Sequence, residues 1–160
     1  MKEQIPKNYQ ASITEKKWYS VWEENGYFKP VERKPGAGKY SIMMPPPNVT
    51  GQLHIGHALN MTIQDILVRY KRQQGFETCW IPGTDHAGIA TQRKVRDAVR
   101  QEGLSMPELG REGFIERVWQ WVNKYGTAIT GQLRALGCSC DWDREVFTMD
   151  KQLSKAVREA

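Results

Sequence analysis

The chain reads Pro45-Pro-Pro-Asn-Val-Thr-Gly-Gln-Leu-His-Ile-Gly-His57 between a short apolar run and a long amphipathic segment. Residues 40–44, just before this stretch, have the length of a buried strand, and the prolines end it because proline cannot donate to a sheet ladder. The segment 56–74 after it predicts a helix capped by Gly75, since apolar residues recur there at helical spacing: Leu59, Ile63, Ile66 and Tyr70. The stretch therefore predicts the turn from a strand into a helix.

A second apolar run, at residues 78–81, follows this helix and ends at a Pro-Gly pair. A helix of this length between two buried strands has the size of a right-handed parallel βαβ unit. Further helices are predicted over residues 12–25 and 89–101, through most of the C-terminal third, and again from Asp150. The predicted fold class is therefore α/β, with a parallel sheet and flanking helices.

Composition excludes several classes of protein. The chain has 160 residues, 39% hydrophobic and 26% charged, which is ordinary for one globular domain and argues against disorder. No run approaches about 18 apolar residues and no apolar signal region begins the chain, so we expect no membrane association. The net charge of +5 is compatible with an anionic ligand. Three cysteines do not make a disulfide framework, and without a signal region we expect reduced thiols in the cytoplasm.

His54 and His57 lie at the start of the predicted helix, three residues apart, so both can face the same side of its first turn. Free backbone N–H groups and the helix dipole favour an anion at that position. Two imidazoles there suit a phosphate group that gains charge in a transition state. Gly56, between them, has no side chain and would let a flat ring approach the backbone.

The histidine pair has other interpretations on spacing alone. The two residues could be polar groups that only begin a helix, or they could bind zinc, although no third ligand lies at the usual spacing. The stretch is not a P-loop, because Gly-Lys-Ser/Thr is absent, and it lacks the three glycines of the dinucleotide fingerprint. We expect no metal held by protein side chains.

Residues 54–57, His-Ile-Gly-His, resemble the His-x-Gly-His signature of the class I aminoacyl-tRNA synthetases. Residues 45–51 before them and 83–92 after them resemble the valyl-tRNA synthetases in particular. The isoleucyl- and leucyl-tRNA synthetases typically carry Gly-Trp-Asp at the positions where this chain has Gly83-Thr84-Asp85. The resemblance covers nearly the whole chain. It implies the first half of a class I synthetase Rossmann-like parallel sheet with flanking helices, truncated after residue 160.

The resemblance implies an enzyme that activates valine with ATP to valyl-adenylate and transfers the valyl group to tRNA(Val), with Mg²⁺ accompanying ATP. His54 and His57 would be the catalytic residues, donating hydrogen bonds to the ATP phosphates in the transition state, and Gly56 would lie close to the adenine. Asp85 would bind the ammonium group of valine. Without the resemblance, Asp85 could also be a turn aspartate after a glycine.

The same resemblance implies roles for other residues near the crevice. Pro45 and Pro46 would form part of the valine side-chain pocket, and Asn48 would contact the amino group or the ATP. His86 would line the ATP site or only hold its own loop.

Several other polar and aromatic residues have two interpretations, one functional and one structural. A basic cluster in the 89–101 helix could meet tRNA, yet such a run is usually a solvated face: Arg93, Lys94, Arg96 and Arg100. Trp119 could stack on a base, but its helical spacing favours core packing. Cys138 and Cys140 lack the second pair that a metal site needs, so we expect structural cysteines.

We expect three parts along the chain: an N-terminal helix and loop at residues 1–39, the first half of the nucleotide-binding catalytic domain at 40–137, and the start of a connection toward an editing insertion at 138–160. The second signature of the class, Lys-Met-Ser-Lys-Ser, is absent. We therefore expect a longer protein, monomeric at full length, with its editing domain after residue 160. The alternative is a non-catalytic nucleotide-binding fragment or a repurposed binding module.

Overall fold

The computed structural model describes residues 8–31 and 35–160. The predicted N-terminal part at residues 1–39 therefore includes two segments, 1–7 and 32–34, that lie outside the described residues. The helices are α1 (Ala11–Glu24), α2 (Ile55–Gln73), α3 (Gly88–Gln101), α4 (Met106–Ala135) and α5 (Lys151–Glu159). The strands are β1 (Lys39–Met43), β2 (Glu77–Ile81), β3 (Gly83–Thr84) and β4 (Val146–Phe147).

The unit β1–α2–β2 confirms the predicted parallel βαβ arrangement. The two strands pair in parallel from Lys39 opposite Glu77 to Met43 opposite Ile81. Helix α2 packs on the face of this sheet that carries Trp80, which is fully buried and donates its indole N–H to Gln64 at 3.0 Å. The carboxyl ends of both strands therefore lie side by side, where parallel sheets bind ligands.

Helix α2 buries a different face from the one that the apolar spacing suggests. Met61 and Val68 are its buried residues. The four residues whose spacing predicts the helix are 52–63% exposed: Leu59, Ile63, Ile66 and Tyr70. The helix has apolar side chains on two sides, and only one side can face the sheet. Periodicity therefore predicts the helix correctly but does not indicate which side packs.

The segment after α4 follows the edge of β2 and β3. Cys138 and Cys140 are buried in the core, which confirms them as structural residues. Ser139 between them donates its backbone N–H and its hydroxyl to Asp65 of α2, at 2.9 and 2.5 Å. Farther along, β4 pairs in parallel with β3. This segment brings residues near position 148 to the ends of the first strands.

Helices α3 and α4 pack against each other. The basic cluster of α3 is exposed while Thr91, Val95 and Val99 are buried, which is compatible with a solvated face and with contact to tRNA. The prediction of core packing for Trp119 is wrong, because its side chain is 43% exposed. Its ring instead contacts Phe147 edge-on, with centroids 6.4 Å apart, at the wall of an open cavity.

Candidate active site

The loops that leave β1 and β2 stay paired beyond the ends of the strands. The backbone N–H of Asp85 donates to Pro47 O at 2.8 Å, and the N–H of Val49 donates to Asp85 O at 2.9 Å. These two bonds form an isolated parallel bridge between Asn48 and Asp85. Two residues that the sequence predicts for one crevice are therefore neighbours, and backbone hydrogen bonds rather than side-chain packing fix their separation.

Helix α4 supports the loop between β1 and α2. Trp121 donates its indole N–H to the Val49 carbonyl at 2.8 Å. Gln132, three turns farther along the same helix, accepts the backbone N–H of Leu53 at 2.9 Å. Both bonds satisfy backbone groups that would otherwise be left without a partner in a half-buried loop. Sequence analysis does not identify either side chain, because neither lies near the loop in the sequence.

The histidine pair forms a reciprocal cap at the N-terminus of α2. His54 Nδ1 accepts the backbone N–H of Gly56 at 3.1 Å, and His57 Nδ1 accepts the backbone N–H of His54 at 3.2 Å. Because each Nδ1 accepts a hydrogen bond, each neutral ring carries its proton on Nε2. The two rings lie 3.9 Å apart, centroid to centroid. The pair thus has two Nε2–H donors that the cap does not use.

The backbone N–H groups of the first turn are less available than the sequence suggests. The Gly56 N–H already donates to His54 Nδ1, and the His57 N–H donates to His54 O at 2.9 Å. An anion at this turn would therefore be bound by imidazole N–H groups more than by backbone. Partial burial, with the neighbouring His54 as a smaller cause, lowers the pKa of His57, so this ring is a neutral donor near pH 7.

A side chain at residue 56 would crowd the ring of His54. A Cβ at residue 56 would lie 3.0 Å from His54 Cε1 and 3.1 Å from its Nδ1. The space that the glycine leaves is therefore used by the folded-back His54 ring within the cap. Approach of an adenine to Gly56 remains a prediction.

Asp85 and His86 form the second part of the site, together with Thr148. The Thr148 hydroxyl lies 2.9 Å from Asp85 Oδ1 and 2.6 Å from His86 Nδ1, and it accepts the His86 backbone N–H at 2.9 Å. The Asp85 side chain is 31% exposed and that of His86 is 41% exposed. His86 also holds its loop, because its carbonyl accepts the Thr91 hydroxyl at 2.7 Å.

The remaining predicted residues lie along the same strand ends. Pro45, Pro46 and Asn48 are exposed, and Pro46 is next to Gly83, whose Cβ would lie 3.8 Å from it. Backbone hydrogen bonds between the two loops thus place Asn48 beside Asp85. The histidine pair forms a separate group at the start of α2. The roles of all these residues in binding stay predictions.

Thr148 is a further residue of this site that sequence analysis missed. The resemblance covers nearly the whole chain, but nothing in the sequence connects Thr148 with Asp85, 63 positions earlier. The two meet only because β4 pairs with β3, and Thr148 donates its backbone N–H to Thr84 O at 3.1 Å. Beside this group lies an open cavity of about 450 Å³ that His86 and Trp119 line.

The described residues contain no metal centre of their own. Within 8–31 and 35–160, no three His, Cys, Asp or Glu side chains lie close enough to hold a metal ion. In the same ranges no helix combines the length and the apolar character that a bilayer crossing requires.

Comparison with known proteins gives the family. Residues 17–160 match the family model described as tRNA synthetases class I (I, L, M and V). The chain belongs to the class I tRNA synthetase family. This assignment accounts for the strand-to-helix turn with its two histidines, which carries the His-x-Gly-His signature of the class.

The relatives of this class I synthetase chain are similar over nearly all of its length. It is 60% identical over 157 residues to a valine–tRNA ligase of Carboxydothermus hydrogenoformans, covering 97% of the chain and 17% of the relative. It is 58% identical over 158 residues to a valine–tRNA ligase of Geobacter sulfurreducens, covering 98% of the chain and 18% of the relative. The chain thus spans less than a fifth of the length of these relatives.

A solved structure confirms the fold class of this synthetase chain. The LeuRS of Agrobacterium radiobacter K84, solved as a ternary complex with tRNA and LeuAMS, is similar with a TM-score of 0.74 and 21% sequence identity. The similarity covers 95% of this chain and 18% of that one. The parallel α/β arrangement is therefore that of a class I synthetase Rossmann-like domain in its first part.

Proposed function

We propose that this chain forms the valine- and ATP-binding part of a valine–tRNA ligase, which makes valyl-adenylate and transfers the valyl group to tRNA(Val). The observation that carries the proposal is the paired loop at the strand ends. It places the backbone of Asp85 beside that of Asn48, and the same loop leads directly into the turn with the two histidine donors. The names of the similar relatives support valine as the amino acid.

The proposed reaction needs positioning and charge stabilisation rather than an enzyme nucleophile. A carboxylate oxygen of valine attacks the α-phosphorus of ATP, the bond to the bridging oxygen breaks, and pyrophosphate leaves with the electron pair. His54 and His57 donate their Nε2–H groups to phosphate oxygens as charge develops. A donor of this kind contributes on the order of 3 kcal/mol to lowering the barrier.

Asp85 is proposed to accept hydrogen bonds from the valine ammonium group. Its carboxylate is partly buried, and an ion pair in such a place is screened less than one on the surface. Asn48, on the neighbouring loop, would contact the amino group or the ATP. The exposed rings of Pro45 and Pro46 would form a rigid wall for the valine side chain.

A rigid wall excludes amino acids with side chains larger than that of valine, but it does not exclude amino acids of similar shape. One methylene group in a pocket is worth only about 1–3 kcal/mol, and threonine has nearly the shape of valine. We therefore propose that rejection of threonine uses an editing domain beyond this chain. Mg²⁺ would accompany ATP on its phosphates, and the site of action would be the cytoplasm.

The test is valine-dependent exchange of labelled pyrophosphate into ATP by the 160-residue chain. Valine, isoleucine and threonine are compared, and His57→Ala is measured beside the wild type. Loss of one transition-state donor should lower the rate about 100-fold. Ile55→Ala is the matched control, because its side chain lies in the same helical turn and is 86% exposed.

Three results are informative. Exchange that requires valine, falls in His57→Ala and persists in Ile55→Ala supports the proposal. Exchange that prefers isoleucine contradicts the assignment of valine. ATP binding by calorimetry without exchange for any amino acid favours the alternative, a nucleotide-binding module that does not catalyse activation by itself.

A further inference from the structure

The Thr148 hydroxyl is the centre of a hydrogen-bond network that the proposed function does not use. Its oxygen has three polar neighbours within 2.9 Å: Asp85 Oδ1, His86 Nδ1 and the His86 backbone nitrogen. A hydroxyl has one hydrogen to donate and two lone pairs to accept. Three neighbours therefore use its full capacity, and the direction of each bond can be assigned.

The directions follow from what each neighbour can do. The His86 backbone N–H can only donate, and an ionised Asp85 carboxylate can only accept. The single hydrogen of Thr148 must therefore point at Asp85, and His86 Nδ1 must carry a hydrogen and donate it to Thr148. His86 Nδ1 also lies 3.3 Å from Asp85 Oδ1, which is compatible with the same hydrogen.

We propose that Thr148 is a positioning residue that orients the Asp85 carboxylate for the ammonium group of the amino acid and holds His86 in its Nδ1–H tautomer. The inference rests on the proposed role of Asp85. Thr148 need not touch the amino acid: its hydroxyl acts through Asp85 Oδ1 and leaves Asp85 Oδ2 for the substrate.

The fold makes this position rigid. Thr148 follows β4, and its backbone N–H donates to Thr84 O, one residue before Asp85. Asp85 itself is held on its other side by two backbone bonds to the loop after β1. Both partners of the hydroxyl bond are thus fixed by strand pairing, so removal of the hydroxyl leaves the backbone in place and frees only the carboxylate to rotate.

The first test is the tautomer of His86, which does not depend on any activity. The chain has three histidines, so long-range ¹⁵N–¹H correlation spectra resolve all of them. His86 should carry its proton on Nδ1, whereas His54 and His57 should carry theirs on Nε2. A proton on His86 Nε2 in the neutral ring would overturn the assigned network.

The second test measures calorimetric binding of valine and of 3-methylbutanoate, which is valine without its amino group. Thr148→Val removes the hydroxyl and keeps the shape, and should weaken valine binding about tenfold, the value of one hydrogen bond to a charged group. Binding of 3-methylbutanoate should change less than about twofold. Thr148→Ser restores a hydroxyl and should restore valine affinity. Thr127→Val, the same change on the exposed face of α4, is the control.

A double-mutant cycle separates positioning from general damage to the fold. If Thr148 acts through Asp85, the Thr148→Val change should cost almost nothing in an Asp85→Ala background. An equal loss of valine and 3-methylbutanoate affinity, or a full loss in the Asp85→Ala background, would overturn the inference. If the wild type has the expected tautomers but does not bind valine, the proposed function fails, and the role of Thr148 in binding fails with it.

Discussion

Replacement of Gly83 by alanine tests the contact on which the Asp85 side of the site depends. A Cβ at residue 83 would lie 2.8 Å from the backbone oxygen of Val146 and 3.3 Å from its Cγ2. Such a distance to oxygen is shorter than real Cβ contacts allow, and β4 would have to move about 0.6 Å to restore an ordinary contact of 3.4 Å. Rotation of a side chain cannot relieve the clash, because the obstructing oxygen belongs to a paired strand.

The expected cost follows from the rigidity of that strand pair. An overpacked interior position typically loses about 1–3 kcal/mol in the free energy of unfolding. We expect about 2 kcal/mol for Gly83→Ala, which lowers the melting temperature of a chain this long by about 4–8 °C. Urea denaturation followed by circular dichroism measures the free energy directly.

Gly131→Ala is the matched control for this change. Gly131 lies in α4 on an exposed surface, and its Cβ would meet nothing within 4 Å. Alanine there removes the entropy cost of glycine in a helix and should stabilise the chain by roughly 0.5–1 kcal/mol. The same chemical substitution thus has opposite expected signs at the two positions.

Gly83→Ala should also weaken valine binding, because movement of β4 carries Thr148 away from Asp85. A variant as stable as the wild type would refute the close approach of β3 and β4. Destabilisation of both alanine variants by similar amounts would show that loss of glycine itself, and not the contact with Val146, is the cause.

Two further predictions concern the pKa of His57 and the backbone of Ala87. The pKa of His57 is lowered by partial burial and by His54, so its NMR titration should have a midpoint below the ordinary value near 6.5, and His54→Ala should raise that midpoint. Because the unfolded chain binds this proton more tightly, the free energy of unfolding is highest above about pH 6.5 and decreases as the pH falls from there through the lower pKa of the folded state. Ala87 has a left-handed φ of +48°, which strains an alanine, so Ala87→Gly should raise the free energy of unfolding by roughly 0.5–1 kcal/mol. Loss of stability in urea denaturation would contradict the left-handed backbone at that residue.

The β1–α2–β2 unit could be predicted from sequence because its boundaries depend on local chemistry. Three prolines end the first strand, Gly75 follows the helix, and Pro82 follows the second strand. Each of these residues acts on the backbone within one or two positions. Predicted and observed boundaries therefore differ by about one residue, and the parallel pairing follows from the length of the connecting helix.

The side on which each element packs could not be predicted in the same way. The apolar stripe of α2 that includes Ile63 is exposed, and Trp119 lines a cavity rather than the core. Both outcomes depend on which element of the fold packs against each side of the helix. A period of 3.6 residues identifies a helix with an apolar side, but a helix with two such sides leaves the choice to the tertiary fold.

The hydrogen bonds that hold the site from distant parts of the chain could not be predicted from the sequence either. Thr148 reaches Asp85 across 63 positions, and Trp121 reaches Val49 across 72. These contacts depend on strand pairing and on the course of α4, which no local pattern indicates. The signature of the class can be recognised in thirteen residues, whereas two side chains that bond the backbone of this stretch, Trp121 and Gln132, come from α4.

The structural and the functional interpretation of the histidine pair are compatible, because they use different ring nitrogens. Both rings cap α2, as expected of polar residues that only begin a helix, and they use Nδ1 to do so. The same capping bonds leave the proton of each neutral ring on Nε2, which is the nitrogen that a phosphate would contact. The spacing of three residues serves the cap, and Gly56 leaves room for the His54 ring. The cap therefore orients the two donors before any ligand binds, so one set of four residues can perform both roles with different ring nitrogens.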